Sequence, residues 1–169
     1  MTAEAWGIVP LSPSQDRADF DCGVPEMNRY LREHAGQNAR RDMARTFVIV
    51  RPAEPERIGG YYTLTLHSLD FDSLPREKQL PRYPIPVAHL GRLAVDVAYQ
   101  GQRLGRRLLL DAFSLSLRIG DLAGCYAVEV IALDETAAAF YLKYGFHPLS
   151  DDPLHLYITL KSVRKLDLT

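Results

Sequence analysis

Residues 92–110, Arg-Leu-Ala-Val-Asp-Val-Ala-Tyr-Gln-Gly-Gln-Arg-Leu-Gly-Arg-Arg-Leu-Leu-Leu, hold the groups whose types and spacing most suggest chemistry. An apolar run enters a short turn carrying Gly101 and Gly105, and Arg103, Arg106 and Arg107 stand where a helix begins. A strand that delivers a glycine-bearing turn to a helix N-terminus gathers unpaired N–H groups, and the helix dipole adds partial positive charge. That chemistry is anion binding, and a phosphate-bearing ligand is the expected partner. The same residues also fit an ordinary β-turn-α connection with a charged first helical turn, since short glycine patterns match by chance. No Lys-Ser or Lys-Thr follows the glycines, which excludes a Walker loop, and the spacing is not the three-glycine dinucleotide fingerprint.

The elements that must position this turn are legible from periodicity. Beyond the turn, Leu104, Leu108, Ala112, Leu115 and Ile119 recur at steps of four, four, three and four, the period of one buried helix face. The run 87–97 reads as the central strand that feeds it. Upstream, residues 6–11 suggest a first strand and Pro25 opens a helix. That helix sets Met27, Tyr30, Leu31, Ala35 and Asn38 on one side, with Gly36 weakening its middle. Residues 46–51 and 58–69 suggest a hairpin. The proline-bearing stretch 70–86 is a loop with a short helical turn expected at 75–80. Residues 127–132 form a buried strand, 135–144 a helix stopped by Gly145, and 154–160 a last strand. The order β-α-β-β-β-α-β-α-β predicts an α/β domain with a mixed sheet, and 169 residues fit a single domain, 1–169.

Composition narrows the class. Hydrophobic residues make up 47% and charged residues 24%, ordinary globular values, and no apolar run reaches the length of a membrane span. Cys22 and Cys125 match neither a metal nor a redox spacing, so both read as free thiols in a reducing compartment, the cytoplasm. Net charge is −1, which excludes a generic polyanion binder, yet the charge is uneven. Between Arg29 and Arg51, six arginines oppose Glu33 and Asp42, a balance of +4. From Arg92 to Arg118, five oppose Asp96 and Asp111, giving +3. Arginine's planar fork suits phosphate, although solvated helix faces show the same composition.

The loop Gln100-Gly101-Gln102-Arg103-Leu104-Gly105 resembles the acyl-CoA pyrophosphate loop of the GCN5-related N-acetyltransferases (GNAT), Gln/Arg-x-x-Gly-x-Gly/Ala, with Arg103 where the first glycine usually sits. A second stretch is similar to that family's Asn-x-x-Ala-x-x-Phe-Tyr-x-x-x-Gly-Phe. It runs from Asp134, standing for the Asn, through Ala137-Ala138-Ala139-Phe140-Tyr141 to Gly145-Phe146. A plain amphipathic helix with Phe140 and Phe146 in the core is the structural alternative for that stretch. Nearly the whole chain, through Ala44–Val50, Gly60-Tyr61-Tyr62, Pro84–Val87 and Leu93–Val97, resembles the acetyltransferase toxins of toxin–antitoxin pairs.

The resemblance implies a central mixed sheet splayed at the cofactor strand and flanked by helices. It implies acetyl-CoA bound through the backbone of Leu93, Ala94 and Val95, the loop Gln100, Gly101, Gln102, Arg103, Leu104, Gly105 and Arg106, and Asp134, Ala138 and Phe140. The matching tyrosine, Tyr141, becomes the general acid for the departing thiolate, or else a packing group for the acyl chain. The implied substrate is the amino group of aminoacyl-tRNA, with a ribbon-helix-helix antitoxin and a homodimer as partners; a small amine or a protein amine is the alternative substrate, and a cofactor-binding module without turnover the alternative class. Arg29, Arg32, Arg40, Arg41, Arg45 and Arg92 are candidates for tRNA phosphates, some of them free to pair with Glu33 or Asp42 instead. Glu129 is a possible base that strand alternation can equally aim at solvent, and His67 and His89 read as strand-surface residues. An α-amino group, with a pKa near ~7.7, needs no strong base.

Overall fold

The computed structural model describes residues 5–74, 80–149 and 151–168. Among the described residues seven strands hydrogen-bond into one sheet; the first five lie side by side in chain order, and the seventh lies between the fifth and the sixth. The chain divides into two compact units, each assembled from two separated stretches of sequence: 1–65 with 92–112, and 66–91 with 113–169.

In the first unit, β1 (Gly7–Pro10), β2 (Arg45–Val50) and the first part of β3 (Gly60–Leu69) are antiparallel, with Ile8 opposite Ile49 and Phe47 opposite Tyr62. The β-branched run Thr46, Val48, Ile49 and Val50 is what fits a pleated, buried surface. The helical segment from Pro25 is not one regular helix. It is α1 (Pro25–Arg29), a π-helical turn at Tyr30–His34, and α2 (Ala35–Arg40). The expected inner side holds nonetheless: Tyr30, Leu31 and Ala35 are buried, and Asn38 donates to the Tyr30 hydroxyl at 3.1 Å. These residues join Phe20, Val48, Ile58, Tyr61 and Ala94 in one core. β4 (Ile85–Val95) ends in this unit, where Gly60 lets the strands approach closely. A Cβ there would stand 2.8 Å from the Ala94 carbonyl oxygen and 3.0 Å from Leu108 Cδ1.

In the second unit, β4 runs parallel to β5 (Ala127–Ile131), β5 antiparallel to β7 (His155–Thr159), and β7 antiparallel to the two-residue β6 (His147–Pro148). β6 is too short to leave a sequence pattern. Leu69, Leu74, Ile85, Val87, Ala127, Leu149 and Tyr157 form the core. α4 (Glu135–Lys143) closes as expected at Gly145, whose φ is +102°. The Gly145 N–H reaches the Leu142 carbonyl and the Phe146 N–H that of Tyr141, a Schellman cap. A short α5 (Leu160–Val163) follows β7.

The long helix α3 (Leu104–Ala123) begins at the expected residue. Its buried stripe differs from the spacing read in sequence. Leu104, Leu108 and Ala112 are buried, but farther along Leu109, Phe113 and Ser116 take the inner row while Leu115 and Ile119 are half-exposed. Apolar spacing fixes a helix's amphipathicity, whereas the surface it covers fixes which adjacent row is sealed. The expected helical turn at 75–80 falls mostly outside the described residues; a 3₁₀ turn at Phe71–Ser73 precedes them. Cys22 and Cys125 are free thiols as expected, and among the described residues no helix is long and apolar enough to cross a membrane.

The close approach at Gly60 gives a direct test. Gly60→Ala is expected to lower unfolding stability by about 1–3 kcal/mol, as overpacking against fixed backbone does. A fall in the urea midpoint at unchanged slope is the outcome that confirms it.

Candidate active site

β4 extends to Val95, five residues beyond Leu90, the last of its residues in register with β5. At Asp96 the chain turns out of the strand, and the turn is tightly held. The buried Asp96 carboxylate accepts from the Ala98 N–H at 2.9 Å and from the Asp21 N–H at 3.1 Å, while the Asp96 N–H donates to the Gly59 carbonyl. Asp96 thereby caps a 3₁₀ turn at Val97–Tyr99. The Gln100 amide then donates back to the carbonyls of Val95 at 3.0 Å and Cys22 at 3.3 Å. Its side chain thereby ties the loop to the end of β4 and to the turn at Cys22.

The loop itself takes two left-handed residues, Gly101 at φ +87° and Arg103 at φ +63°. A glycine is unstrained there; an arginine is not, at a cost of roughly 1–2 kcal/mol. The backbone shape that the family's glycine would adopt is thus present with an exposed guanidinium added. Arg103 passes its carbonyl to the Arg107 N–H and α3 begins. Among the described residues nothing accepts from the N–H groups of Leu104, Gly105 or Arg106, so the helix opens on three free donors. A Cβ added at Gly101 would meet no atom within 4 Å, so the outer side of the loop is open. Arg107 is not part of that face, because its guanidinium donates to the Trp6 carbonyl at 2.7 Å and ties β1 to α3.

On α4, Asp134 is the N-cap, its carboxylate accepting from the Ala137 N–H at 2.8 Å. That role suits Asp as well as the family's Asn. Ala138 is buried and Phe140 only half-buried, against Tyr141 and Tyr144 in edge contacts. Phe146 is the true core residue, stacked on Phe113. Tyr141 is buried, edge-on to Phe146 at 5.3 Å, and none of the described residues hydrogen-bonds to its hydroxyl. Burial raises its pKa far above the ordinary phenol value, so the phenol carries its proton throughout the physiological range.

The arginines sort into two kinds. Arg45 pairs with Asp42 at 2.6 Å, Arg32 with Glu33 at 3.6 Å, and Arg92 lies 3.6 Å over the Tyr30 ring. Arg51 sits over Trp6 and Tyr99 and pairs with Glu54. Arg29, Arg40 and Arg41 are exposed and make no ion pair among the described residues.

Glu129 is where the strand alternation misleads. It does not face solvent: it is 3% exposed. It accepts from His67 and His89 at 2.9 Å each and from His155 at 2.6 Å, and His155 reaches Asp151 at 2.9 Å. His89 is correspondingly covered, while His67 stays half-exposed. Burial alone would raise the Glu129 pKa, but hydrogen bonds from His89 and His155 outweigh it and hold the group at about 2. The His155 pKa is raised: burial lowers it, but Asp151 and Glu129 more than offset that. His155 and Asp151 escape a reading of the sequence. The available signal was a histidine set in apolar strand runs three times over, at Leu66-His67, Ala88-His89-Leu90 and Leu154-His155-Leu156.

In the first unit a strand that outruns its partner feeds a left-handed turn into a helix N-terminus, and in the second unit a protonated tyrosine lies buried on α4. The model of the acetyltransferase (GNAT) domain matches residues 44–148, and the chain belongs to that family of acetyltransferases. It is 36% identical to the tRNA-acetylating toxin of Mycobacterium tuberculosis over 157 residues, 92% of this chain and 93% of that protein. AtaT complexed with acetyl-methionyl-tRNAfMet superposes with a TM-score of 0.89 at 30% identity, covering 95% of this chain and 98% of that one. A tyrosine-to-phenylalanine mutant of the AtaT toxin, bound to the C-terminus of the antitoxin AtaR and to acetyl-CoA, gives 0.80 at 29% identity, covering 94% and 96%.

Glu129→Gln is expected to cost roughly 3 kcal/mol of unfolding stability, the range for breaking a buried ionic cluster. The native carboxylate's contribution is complete above its unfolded pKa near 4.5 and is lost as pH falls toward about 2. The part due to His155 is complete below its unfolded pKa of 6.5 and fades as pH rises through the raised folded value. Urea unfolding across pH in metal-free buffer should therefore show the largest gap between parent and variant from about 4.5 to 6.5.

Proposed function

We propose that this chain is a toxin that transfers the acetyl group of acetyl-CoA to the α-amino group of aminoacyl-tRNA and so blocks translation. The observation that carries the reading is the loop, where three free N–H donors open α3 directly after Gly101 and Arg103 in left-handed conformations. That is a fitting cradle for a diphosphate. The whole-length likeness to a tRNA-acetylating toxin supplies the substrate. Acetyl-CoA bound there supplies an acyl group activated as a thioester.

The chain's own contributions follow from the residues. The N–H groups of Leu104, Gly105 and Arg106, with the guanidiniums of Arg103 and Arg106, hold the phosphates. The backbone of Leu93, Ala94 and Val95, past the last β5 pair, offers strand-like hydrogen bonds to an extended ligand arm. Tyr141 is the proton donor to the departing thiolate, its hydroxyl being protonated at neutral pH as any phenol is; burial raises its pKa and so opposes the transfer, which positioning beside the thiolate must offset. The attacking α-amine, near pKa ~7.7, is partly neutral in the cell and needs only water as proton acceptor. Arg29, Arg40 and Arg41 carry the tRNA phosphates; Arg32, Arg45 and Arg92, already engaged within the fold, reinforce the field around them. The protein acts in the cytoplasm as one acetyltransferase domain, 1–169, and as a homodimer, neutralised by a ribbon-helix-helix antitoxin.

Tyr141→Phe is expected to lower turnover about 10²- to 10⁴-fold with acetyl-CoA binding intact, the range for losing a positioned acid. Mass spectrometry of total charged tRNA, beside polyamine and peptide controls, reads it; near-full turnover in the variant removes Tyr141 from the acid role. Arg40→Glu with Arg41→Glu should reduce kcat/KM for tRNA at least tenfold and flatten the log–log salt dependence by about 2. An unchanged salt slope would take both arginines off the interface.

A further inference from the structure

The Glu129 cluster has no part in the acetyl transfer described above, and its geometry is specific. His67 on β3 and His89 on β4 both direct Nδ1 at one oxygen, Glu129 Oε1, at 2.9 Å. Their rings stack with centroids 4.0 Å apart and planes 12° from parallel. The three ligand-type atoms lie within 4.8 Å of one another. Two parallel imidazoles converging on one carboxylate oxygen crowd two N–H donors into a single acceptor site. A dication seated among the three atoms accepts a lone pair from each imidazole and from the carboxylate once the exposed His67 ring has turned out of the stack, so that each ring carries the ion in its own plane. We propose that His67, His89 and Glu129 bind one divalent transition-metal ion of the zinc type.

The ligand chemistry selects the ion class. Two imidazole nitrogens and one carboxylate oxygen suit Zn²⁺ and its neighbours, whereas Ca²⁺ and Mg²⁺ take oxygen ligands. Bonds of ~2.1 Å place tetrahedral ligands on the order of 3.4 Å apart, so the three atoms must draw together and the His67 ring must rotate for the cluster to close on the ion. A supporting shell is already built. His155 Nε2 meets the other carboxylate oxygen, Oε2, at 2.6 Å, and its Nδ1 meets Asp151 Oδ2 at 2.9 Å. Outer groups of this kind fix a ligand's orientation. Entry is over His67, whose side chain is 48% exposed while those of Glu129 and His89 are mostly covered. A water completes the fourth position on that side. Every group lies within the unit formed by 66–91 and 113–169, and none of them is given a part in the acetyl transfer, so metal binding and turnover can fail separately.

The test uses the untagged full-length chain, stripped with EDTA, titrated with ZnCl₂ by calorimetry and with Co²⁺ by visible absorption. One Zn²⁺ per chain, a raised thermal midpoint and intense tetrahedral Co²⁺ bands are expected. His67→Ala, at a half-exposed position that leaves the fold intact by circular dichroism, and His89→Gln should each weaken binding at least 100-fold. His155→Gln should weaken it about 10- to 100-fold, as outer-shell losses do. His34→Ala, a histidine outside the cluster, should change nothing. Absence of saturable binding, or equal affinity in the His67→Ala/His89→Gln double variant, overturns the proposal.

Discussion

The C-terminal end of β4 depends on one buried carboxylate. Asp96 stands where the strand must stop and the loop must start, and its two oxygens are each committed to a backbone N–H, one local and one from the turn at Asp21. Its own N–H is held by Gly59. An ionised acceptor bound to backbone donors makes a charge-assisted bond about twice as strong as a neutral one. With the strand end anchored in this way, Gln100 can fold back on Val95 and Cys22. The two left-handed residues that follow then present the first turn of α3 without an internal partner. Every α-helix opens on N–H groups without an internal partner, so the pinned strand end decides where those of α3 are presented rather than whether they are free.

Charge shows the same division between holding the fold and meeting a ligand. The two arginine-rich windows look alike in sequence, but their members are used differently. Arg107 and Arg51 are structural, one tied to the Trp6 carbonyl and the other to Glu54 and two aromatic faces. Arg92 is covered by Tyr30. Arg29, Arg40 and Arg41, which make no ion pair among the described residues, remain on the helical segment that follows Pro25 and at its C-terminal end. A local surplus of positive charge therefore overstates the number of groups free for phosphate, since arginine serves packing through its stem and plane as readily as it serves ligands.

Glu129 illustrates a limit of strand alternation. Period two assigns side chains to opposite faces, and Val128 and Val130 are buried as expected on one of them. The other face is not solvent at this point, because histidines from β3, β4 and β7 close over the carboxylate. Three donors on one anion make burial affordable and hold the group ionised. Polar residues on both sides of a strand thus signal either a wet face or a satisfied cluster, and only the neighbouring strands tell which.

From the sequence alone came the order of the longer elements, without β6 and α5, together with the start of α3 at Leu104, the glycine-bearing turn before it, the Gly145 cap and the family. Each of these is local: helix period, turn chemistry and short motifs act within a few residues, so the chain carries them without its tertiary context. Tertiary structure decided what depends on distant partners. It set the π turn at Tyr30–His34 and the shift of the α3 inner row to Leu109, Phe113 and Ser116. It also engaged the Gln100 side chain on two carbonyls and drew His67, His89, Glu129 and His155 into one cluster across four strands. Those contacts join residues up to 78 positions apart, and no periodicity in the chain encodes a partner at that range.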